Sequence, residues 1–127
     1  MSILTRLLKT IISITSNLDR VVGKGYDLDI WEHQMMLLHA LQIQAQALID
    51  IVVRAASLLG YAPSTPSEAL QSLLNEGVIT VSEVEFLKKV IGFRNIVVHE
   101  YVDVDLSIVD DILRNRKYRE LVYIAEK

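Results

Sequence analysis

Apolar residues recur along this chain at helical spacing, and the pattern predicts helices from end to end. Between Met1 and Val22 they recur every three or four residues, which is typical of an amphipathic helix. The positions are Leu4, Leu7, Leu8, Ile11, Ile14, Leu18 and Val21. A second segment, from about Ile30 to Leu59, is apolar in most directions, which favours a central or interface helix. No segment shows the alternation of a β-strand.

Capping residues and glycines predict where the first helices begin and end. Asp27 or Asp29 can cap the second helix, and Gly60 can end it in the left-handed conformation. Thr65-Pro66-Ser67-Glu68 is a capping box with proline at the first helical position. It predicts a short helix that ends near Gly77.

Two further helices are predicted in the second half of the chain. Thr80-Val81-Ser82-Glu83 is another capping box and opens a helix from about Val81 to Glu100. Asp103 and Asp105 can cap a last helix from about Leu106 to Ala125. The sequence therefore predicts an all-α fold, an antiparallel bundle of four long helices plus one short helix.

Composition narrows the class of protein. The chain has 127 residues, and we expect residues 1–127 to form a single domain. Because it contains no cysteine, it has no disulfide and no thiolate metal site. The apolar share of 51% and the mean hydropathy of +0.32 suggest that a partner, most simply a second copy, covers some apolar surface. Polar residues interrupt the second helix, and no secretory segment stands out, so we expect a cytoplasmic protein.

Four polar side chains lie in the otherwise apolar run from Phe93 to Tyr101, where burial without partners would be costly. Asn95 and His99 are four residues apart on one helix face, whereas Arg94 projects about 140° away from His99. Gly92, inside the same helix, is unfavourable there and often marks a close backbone approach. A two-fold dimer that packs these helices together would bring two copies of the arginine and histidine into one cleft.

A polar ridge crosses the apolar second helix, formed by Gln42, Gln46, Asp50 and Arg54 at intervals of four residues. One interpretation is a solvent-facing stripe with an ion pair between Asp50 and Arg54. The other places the ridge beside Arg94 and His99, where it would orient catalytic side chains or hold a subunit contact.

The side chains of the motif suit phosphodiester cleavage without a metal. One imidazole can take a proton from a ribose 2′-hydroxyl while a second protonates the leaving 5′-oxygen, and an arginine stabilises the charge on the phosphorus-centred transition state. An arginine and histidine pair is also often a structural contact. His33 and His39 point about 240° apart on their helix and form no metal set, so we expect both to be structural and expect no metal or cofactor.

The segment Arg94-Asn95-x-x-x-His99-x-Tyr101 resembles the RNxxxHxY signature of HEPN-domain proteins, specifically the HepT toxins of the HEPN/MNT toxin–antitoxin class. The segment from Ala47 to Ile51 is similar to part of their long second helix. The resemblance implies a homodimeric HEPN-like bundle and a metal-independent endoribonuclease that cleaves RNA with Arg94 and His99.

The resemblance also implies a partner and a modification. The partner is a minimal nucleotidyltransferase (MNT) antitoxin that transfers AMP onto Tyr101, where added phosphates would block RNA by charge and bulk. Arg54 stands where many relatives have histidine, which alters the proton chemistry of the cleft or adds affinity for phosphate. From the residue alone, Tyr101 is equally consistent with a half-buried phenol that forms one hydrogen bond.

Charge leaves the mode of RNA approach open. The formal net charge is −3, which does not favour nucleic acid at long range. The basic run of Arg114, Arg116, Lys117 and Arg119 can line an approach to the cleft or can be a solvated helix end. An alternative function is a non-catalytic helical protein that binds nucleotide or substrate for a nucleotidyltransferase.

Overall fold

A computed structural model describes residues 3–99 and 105–119 of the chain. Within these ranges the secondary structure is helical, and the order of elements is that of the predicted bundle. The helices are α1 (Ile3–Lys24), α2 (Trp31–Leu58), α3 (Pro66–Asn75), α4 (Val81–His99) and α5 (Leu106–Arg114). The all-α bundle is therefore confirmed, with α3 and α5 as its short members.

Helix α2 is the centre of the bundle and packs against α1, α3 and α4. Its length and composition would be enough to cross a membrane, but half of its most apolar stretch is buried inside the protein. This burial is what a central core helix shows, and it agrees with the apolar character that the sequence has on nearly every side of α2.

Two clusters of buried side chains form the core, one at each end of the bundle. The first joins α1, α2, α3 and α4 and includes Ile11, Leu48, Leu70 and Leu87. The second joins α1, α2 and α5 and includes Leu18, Leu37, Leu38, Val109, Leu113 and Tyr118. Both clusters draw on α1 and α2, so these two helices run the length of the core.

Most predicted caps are present. The Thr65 hydroxyl accepts the Glu68 N–H at 3.2 Å, and Asp105 accepts the Ser107 N–H at 2.9 Å. Thr80 and Glu83 form a reciprocal capping box at the start of α4, because each backbone N–H is bonded to the side chain of the other residue. Asp103 lies outside the described residues.

The predicted cap of α2 is wrong. Ile30 occupies the N-cap position and makes no side-chain cap hydrogen bond. The Asp27 carboxylate instead accepts the Asp29 N–H at 2.9 Å within the preceding turn. The N–H of Asp27 donates to His33 Nδ1 at 3.0 Å, so an imidazole from inside α2 holds this loop.

The prediction of one continuous last helix from Leu106 to Ala125 is wrong. Helix α5 ends at Arg114, and a turn follows over residues 115–118 in which Arg116 has φ of 51°. A left-handed arginine is unfavourable without compensating contacts. Those contacts come from Asp19 of α1, which accepts hydrogen bonds from Arg116 and Arg119 at 2.9 Å and from the Tyr118 hydroxyl at 2.6 Å.

A buried amide fastens the same turn to the core. Gln44 of α2 is 1% exposed, and its side-chain nitrogen donates to the Thr15 hydroxyl at 2.8 Å and to the carbonyl oxygen of Tyr118 at 3.1 Å. Because a buried polar group without partners is costly, this pair of bonds ties α1, α2 and the turn after α5 into one unit.

Candidate active site

A groove of about 500 Å³ lies where α1, α2, the start of α3 and α4 meet. Its lining is formed by Ile3, Leu7, Gln46, Ile49, Asp50, Val53, Arg54, Ser57, Pro66 and Arg94. It therefore contains three of the four ridge residues of α2 together with the arginine of the motif. One of the two interpretations of the sequence placed this ridge beside Arg94 and His99; the structure shows the ridge beside Arg94, and the side chain of His99 lies outside the described part.

Arg94 enters the groove from the core side of α4. It lies about one helical turn from Val90 and near Val97, both of which are buried. The side chain is half-buried, and its Nε atom is buried without a hydrogen-bond partner among the described residues. A buried guanidinium N–H with no protein acceptor is unusual, and an anionic ligand is the natural group to accept it.

The α2 side of the groove carries both signs of charge. The Gln46 amide donates to the Asp50 carboxylate at 2.9 Å. The ion pair expected between Asp50 and Arg54 is absent, since among the described residues the carboxylate is not within 4.0 Å of that guanidinium. Both Asp50 and Arg54 are exposed, and Arg54 lines the groove without an ion-pair partner in the described part of the chain.

The other motif residues lie apart from the groove or outside the described side chains. Asn95 is exposed on α4 and does not line the groove. His99 is the last residue of α4, so the regular helix keeps its backbone position about 140° from that of Arg94, but its side chain lies outside the described part. Tyr101 also lies outside the described residues.

One face of α4 is open to solvent along the line that leads to His99. Gly92, Asn95 and Ile96 are exposed, and a Cβ built on Gly92 would meet none of the described atoms within 4 Å. The close backbone approach that Gly92 suggests is therefore not made by any residue in the described ranges of the chain. This strip is available to a second copy.

The basic run that begins at the last residue of α5 does not line the groove. Arg114 pairs with Asp110 at 2.7 Å and Arg116 with Asp19 at 2.9 Å. Lys117 pairs with Asp111, and Arg119 with Asp19. These cations hold the turn in place, and their carboxylate partners cancel much of the positive field that an RNA approach would need.

Two features of the surface were not predicted from the sequence: the walls that α1 and α3 add to the groove, and a second cavity. The walls that α1 and α3 add to the groove depend on helix packing, although the capping box did place Pro66 at the first turn of α3. A second cavity of about 340 Å³ lies between α2, α4 and α5, lined mainly by apolar side chains including Phe86 and Phe93. Within residues 3–99 and 105–119, no three His, Cys, Asp or Glu side chains are grouped to hold a metal.

Comparison with known proteins decides the family. The family model of HepT-like ribonucleases matches residues 8–127. The chain belongs to the HepT-like ribonuclease family. A putative RNase of Archaeoglobus fulgidus is 32% identical over 91 residues, which cover 72% of this chain and 67% of that protein.

The fold of this HepT-like chain agrees with solved structures over nearly its whole length. The toxin–antitoxin crystal structure with AMP-PNP gives a TM-score of 0.84 at 22% identity and covers 98% of both chains. The tri-AMPylated Shewanella oneidensis HEPN toxin in complex with MNT antitoxin also gives 0.84, at 23% identity, covering 99% of this chain and 98% of that one. At this identity the likeness establishes the fold, and the family match confirms the resemblance that the motif suggested.

Proposed function

We propose that this HepT-like protein is an endoribonuclease toxin that cleaves RNA without a metal ion. The observation that carries the proposal is the Nε atom of Arg94, which is buried at a groove and has no acceptor among the described residues. A phosphate oxygen would supply the missing acceptor, and membership of a ribonuclease family makes an RNA phosphodiester the natural source of that oxygen.

The reaction proceeds by attack of a ribose 2′-hydroxyl on the adjacent phosphorus. His99 accepts the hydroxyl proton as the O2′–P bond forms, and a second, protonated imidazole donates a proton to O5′ as the P–O5′ bond breaks. Arg94 stabilises the added negative charge on the non-bridging oxygens. The products are a 2′,3′-cyclic phosphate and a 5′-hydroxyl end.

Two copies of the chain complete the site. Within one regular helix the backbone positions of Arg94 and His99 diverge by about 140°, which favours a site to which two protomers contribute these residues. The exposed strip formed by Gly92, Asn95 and Ile96 provides the surface on which a second α4 packs. Packing the two helices across this strip brings two His99 side chains toward one cleft, and Asn95 is placed to orient an imidazole.

We further propose that a minimal nucleotidyltransferase antitoxin silences the enzyme in the cytoplasm. The solved structure of similar fold that is described as a tri-AMPylated HEPN toxin with MNT antitoxin supports this kind of partner and modification. In this chain the acceptor is Tyr101, two residues after His99. Each transferred AMP adds a phosphate anion near the cleft, which repels the RNA backbone.

The test is incubation of the unmodified protein with tRNA and mRNA in the presence of EDTA. We expect fragments with 2′,3′-cyclic phosphate ends, and we expect Arg94→Ala and His99→Ala to lower the rate by at least about a hundredfold. Arg20→Gln, which removes one exposed cation from α1 far along the chain from the motif, is the matched control and cleaves at the wild-type rate.

Two results would contradict the proposal. Cleavage that EDTA abolishes would show that a metal ion is required. An inert wild-type protein that causes no growth arrest when produced alone, yet is modified on Tyr101 by a nucleotidyltransferase and ATP, would identify the chain as a non-catalytic nucleotide-binding partner of that enzyme.

A further inference from the structure

The α2 ridge departs from the usual pairing of charges on a helix. An aspartate four residues before an arginine normally forms an ion pair across one turn. Here Asp50 accepts the Gln46 amide at 2.9 Å, from the turn before it, and forms no ion pair with Arg54 in the turn after it. One oxygen of the carboxylate is therefore bonded on the N-terminal side of the ridge, and neither oxygen lies within 4.0 Å of the guanidinium.

The consequence is a groove with two arginines, neither of which forms an ion pair within 4.0 Å with a described carboxylate. Arg54 is exposed on α2, and Arg94 reaches the same groove from α4 with its Nε atom buried and unpartnered. The volume of about 500 Å³ is larger than one phosphate needs and falls in the usual range of ligand sites. Two guanidinium groups that line one groove from two helices can each bind one phosphate of the same polyanion.

We propose that Arg54 is a second RNA-binding residue, which contacts a phosphate of the RNA backbone in the groove where Arg94 serves the scissile phosphate. Gln46 is a positioning residue for this contact because it holds the Asp50 carboxylate away from Arg54. This inference rests on the proposed ribonuclease function for the identity of the anion. It assigns substrate affinity to Arg54 and leaves proton transfer to His99.

The role of Arg54 predicts a separation between binding and chemistry. Arg54→Gln is expected to raise KM for single-stranded RNA about tenfold and to change kcat by less than about twofold, because the contact is made equally in the ground state and the transition state. The KM of Arg54→Lys is expected to lie between those of the wild type and Arg54→Gln, because lysine keeps the charge and loses the planar fork. Arg20→Gln controls for the loss of one positive charge.

Binding of an RNA that cannot be cleaved tests the contact directly. The probe is a 2′-O-methyl oligoribonucleotide, whose affinity is measured by fluorescence anisotropy over a series of salt concentrations. Removal of one phosphate contact is expected to reduce the slope of log K against log salt by about 0.7 for a single strand. We expect this change in Arg54→Gln and none in Arg20→Gln.

A double-mutant cycle tests the role of Gln46. Gln46→Ala frees Asp50 to pair with Arg54, so it should weaken binding of the 2′-O-methyl probe severalfold in the wild-type background. The same change should have no effect in the Asp50→Asn background, where no carboxylate competes for the guanidinium. An equal loss in both backgrounds would show that Gln46 acts by another route and would overturn its positioning role.

The outcomes separate this inference from the proposed function. If RNA is cleaved but Arg54→Gln matches the wild type in KM and in salt slope, the role of Arg54 is overturned and the ribonuclease stands. If RNA is not cleaved but the probe binds with the slope difference at Arg54, the RNA-binding site stands and the nuclease fails. No measurable binding of the probe would overturn the Arg54 contact.

Discussion

The Tyr118 hydroxyl donates a 2.6 Å hydrogen bond to the Asp19 carboxylate, across a sequence separation of 99 residues. Asp19 also accepts from Arg116 and Arg119, so a single carboxylate of α1 holds the turn that follows α5. The Tyr118 side chain is 1% exposed, and burial together with the bond to Asp19 raises the pKa of its phenol to about 12. This contact joins α1 to the turn that follows α5.

Replacing Asp19 with asparagine should therefore destabilise the domain. The variant loses the charge that three donors share and leaves a buried phenol with a weaker acceptor, so we expect a loss of about 1–3 kcal/mol in the free energy of unfolding. Urea unfolding measures this. Asp29→Asn, at an exposed position in the α1–α2 loop, is the control and should change the free energy of unfolding by less than about 0.5 kcal/mol. Equal stability of the two variants would contradict the clamp.

Acid should weaken the same clamp. Burial raises the pKa of Asp19, but the hydrogen bonds from Arg119, Tyr118 and Arg116 outweigh burial and leave the pKa below the ordinary 3.8. A lowered pKa in the folded state gives stability that is present above the pKa of the unfolded chain, about 3.9, and is lost as pH falls through the folded value. Unfolding measured from about pH 5 to pH 2 should show a shallower fall in stability for Asp19→Asn than for the wild type. If the stability of the wild type and that of Asp19→Asn fall equally steeply with pH, Asp19 is not a source of the acid sensitivity.

A substitution at Gly92 tests whether two copies of the chain pack through α4. In one chain a Cβ at this position meets none of the described atoms within 4 Å, and the position is exposed, so Gly92→Gln should leave the protomer folded. If two α4 helices pack across Gly92, the larger residue should weaken the dimer by about 1–3 kcal/mol, which is about tenfold or more in the dissociation constant. Sedimentation equilibrium measures this, with Glu85→Gln on the same helix as the control. An unchanged dimer and a gain of about 1 kcal/mol in protomer stability would place Gly92 in solvent.

The left-handed conformation of Arg116 can be separated from its ion pair. Arg116→Gly and Arg116→Ala both remove the guanidinium that binds Asp19, but only glycine adopts φ of 51° without strain. We expect the glycine variant to be more stable than the alanine variant by about 1 kcal/mol, as measured by thermal or urea unfolding. If Arg116→Ala is as stable as Arg116→Gly or more stable, the turn rearranges when the ion pair is lost.

Local signals in the sequence were enough for most helix boundaries, because a cap requires only residues within one turn. Thr80 and Glu83 illustrate this, since the two residues satisfy each other and nothing distant is needed. The cap of α2 was missed because Asp27 is used in its own turn and the loop is held by His33 from inside the helix. The end of α5 was missed because Asp19, far away in the sequence, stabilises the turn.

In the candidate site too, some features follow from local sequence and others depend on how distant residues pack. Spacing of four residues along α2 was enough to place Gln46, Asp50 and Arg54 on one ridge. That the ridge faces Arg94 depends on how α2 and α4 pack, which spacing alone does not determine. The pairing of Asp50 with Gln46 rather than Arg54 is a choice between two acceptable partners, and only the three-dimensional arrangement decides it.

Gln44 links the turn after α5 to α1 and α2, so these parts are expected to unfold cooperatively. Its amide bridges Thr15 of α1 and the carbonyl of Tyr118 in the interior, so the turn after α5 cannot peel away without stranding a polar group in the core. Opening of this turn therefore carries the cost of a lost hydrogen bond in the interior as well as the cost of the lost ion pairs at Asp19. Amide hydrogens in the turn should exchange together with those of the central helices, as parts of one cooperative unit.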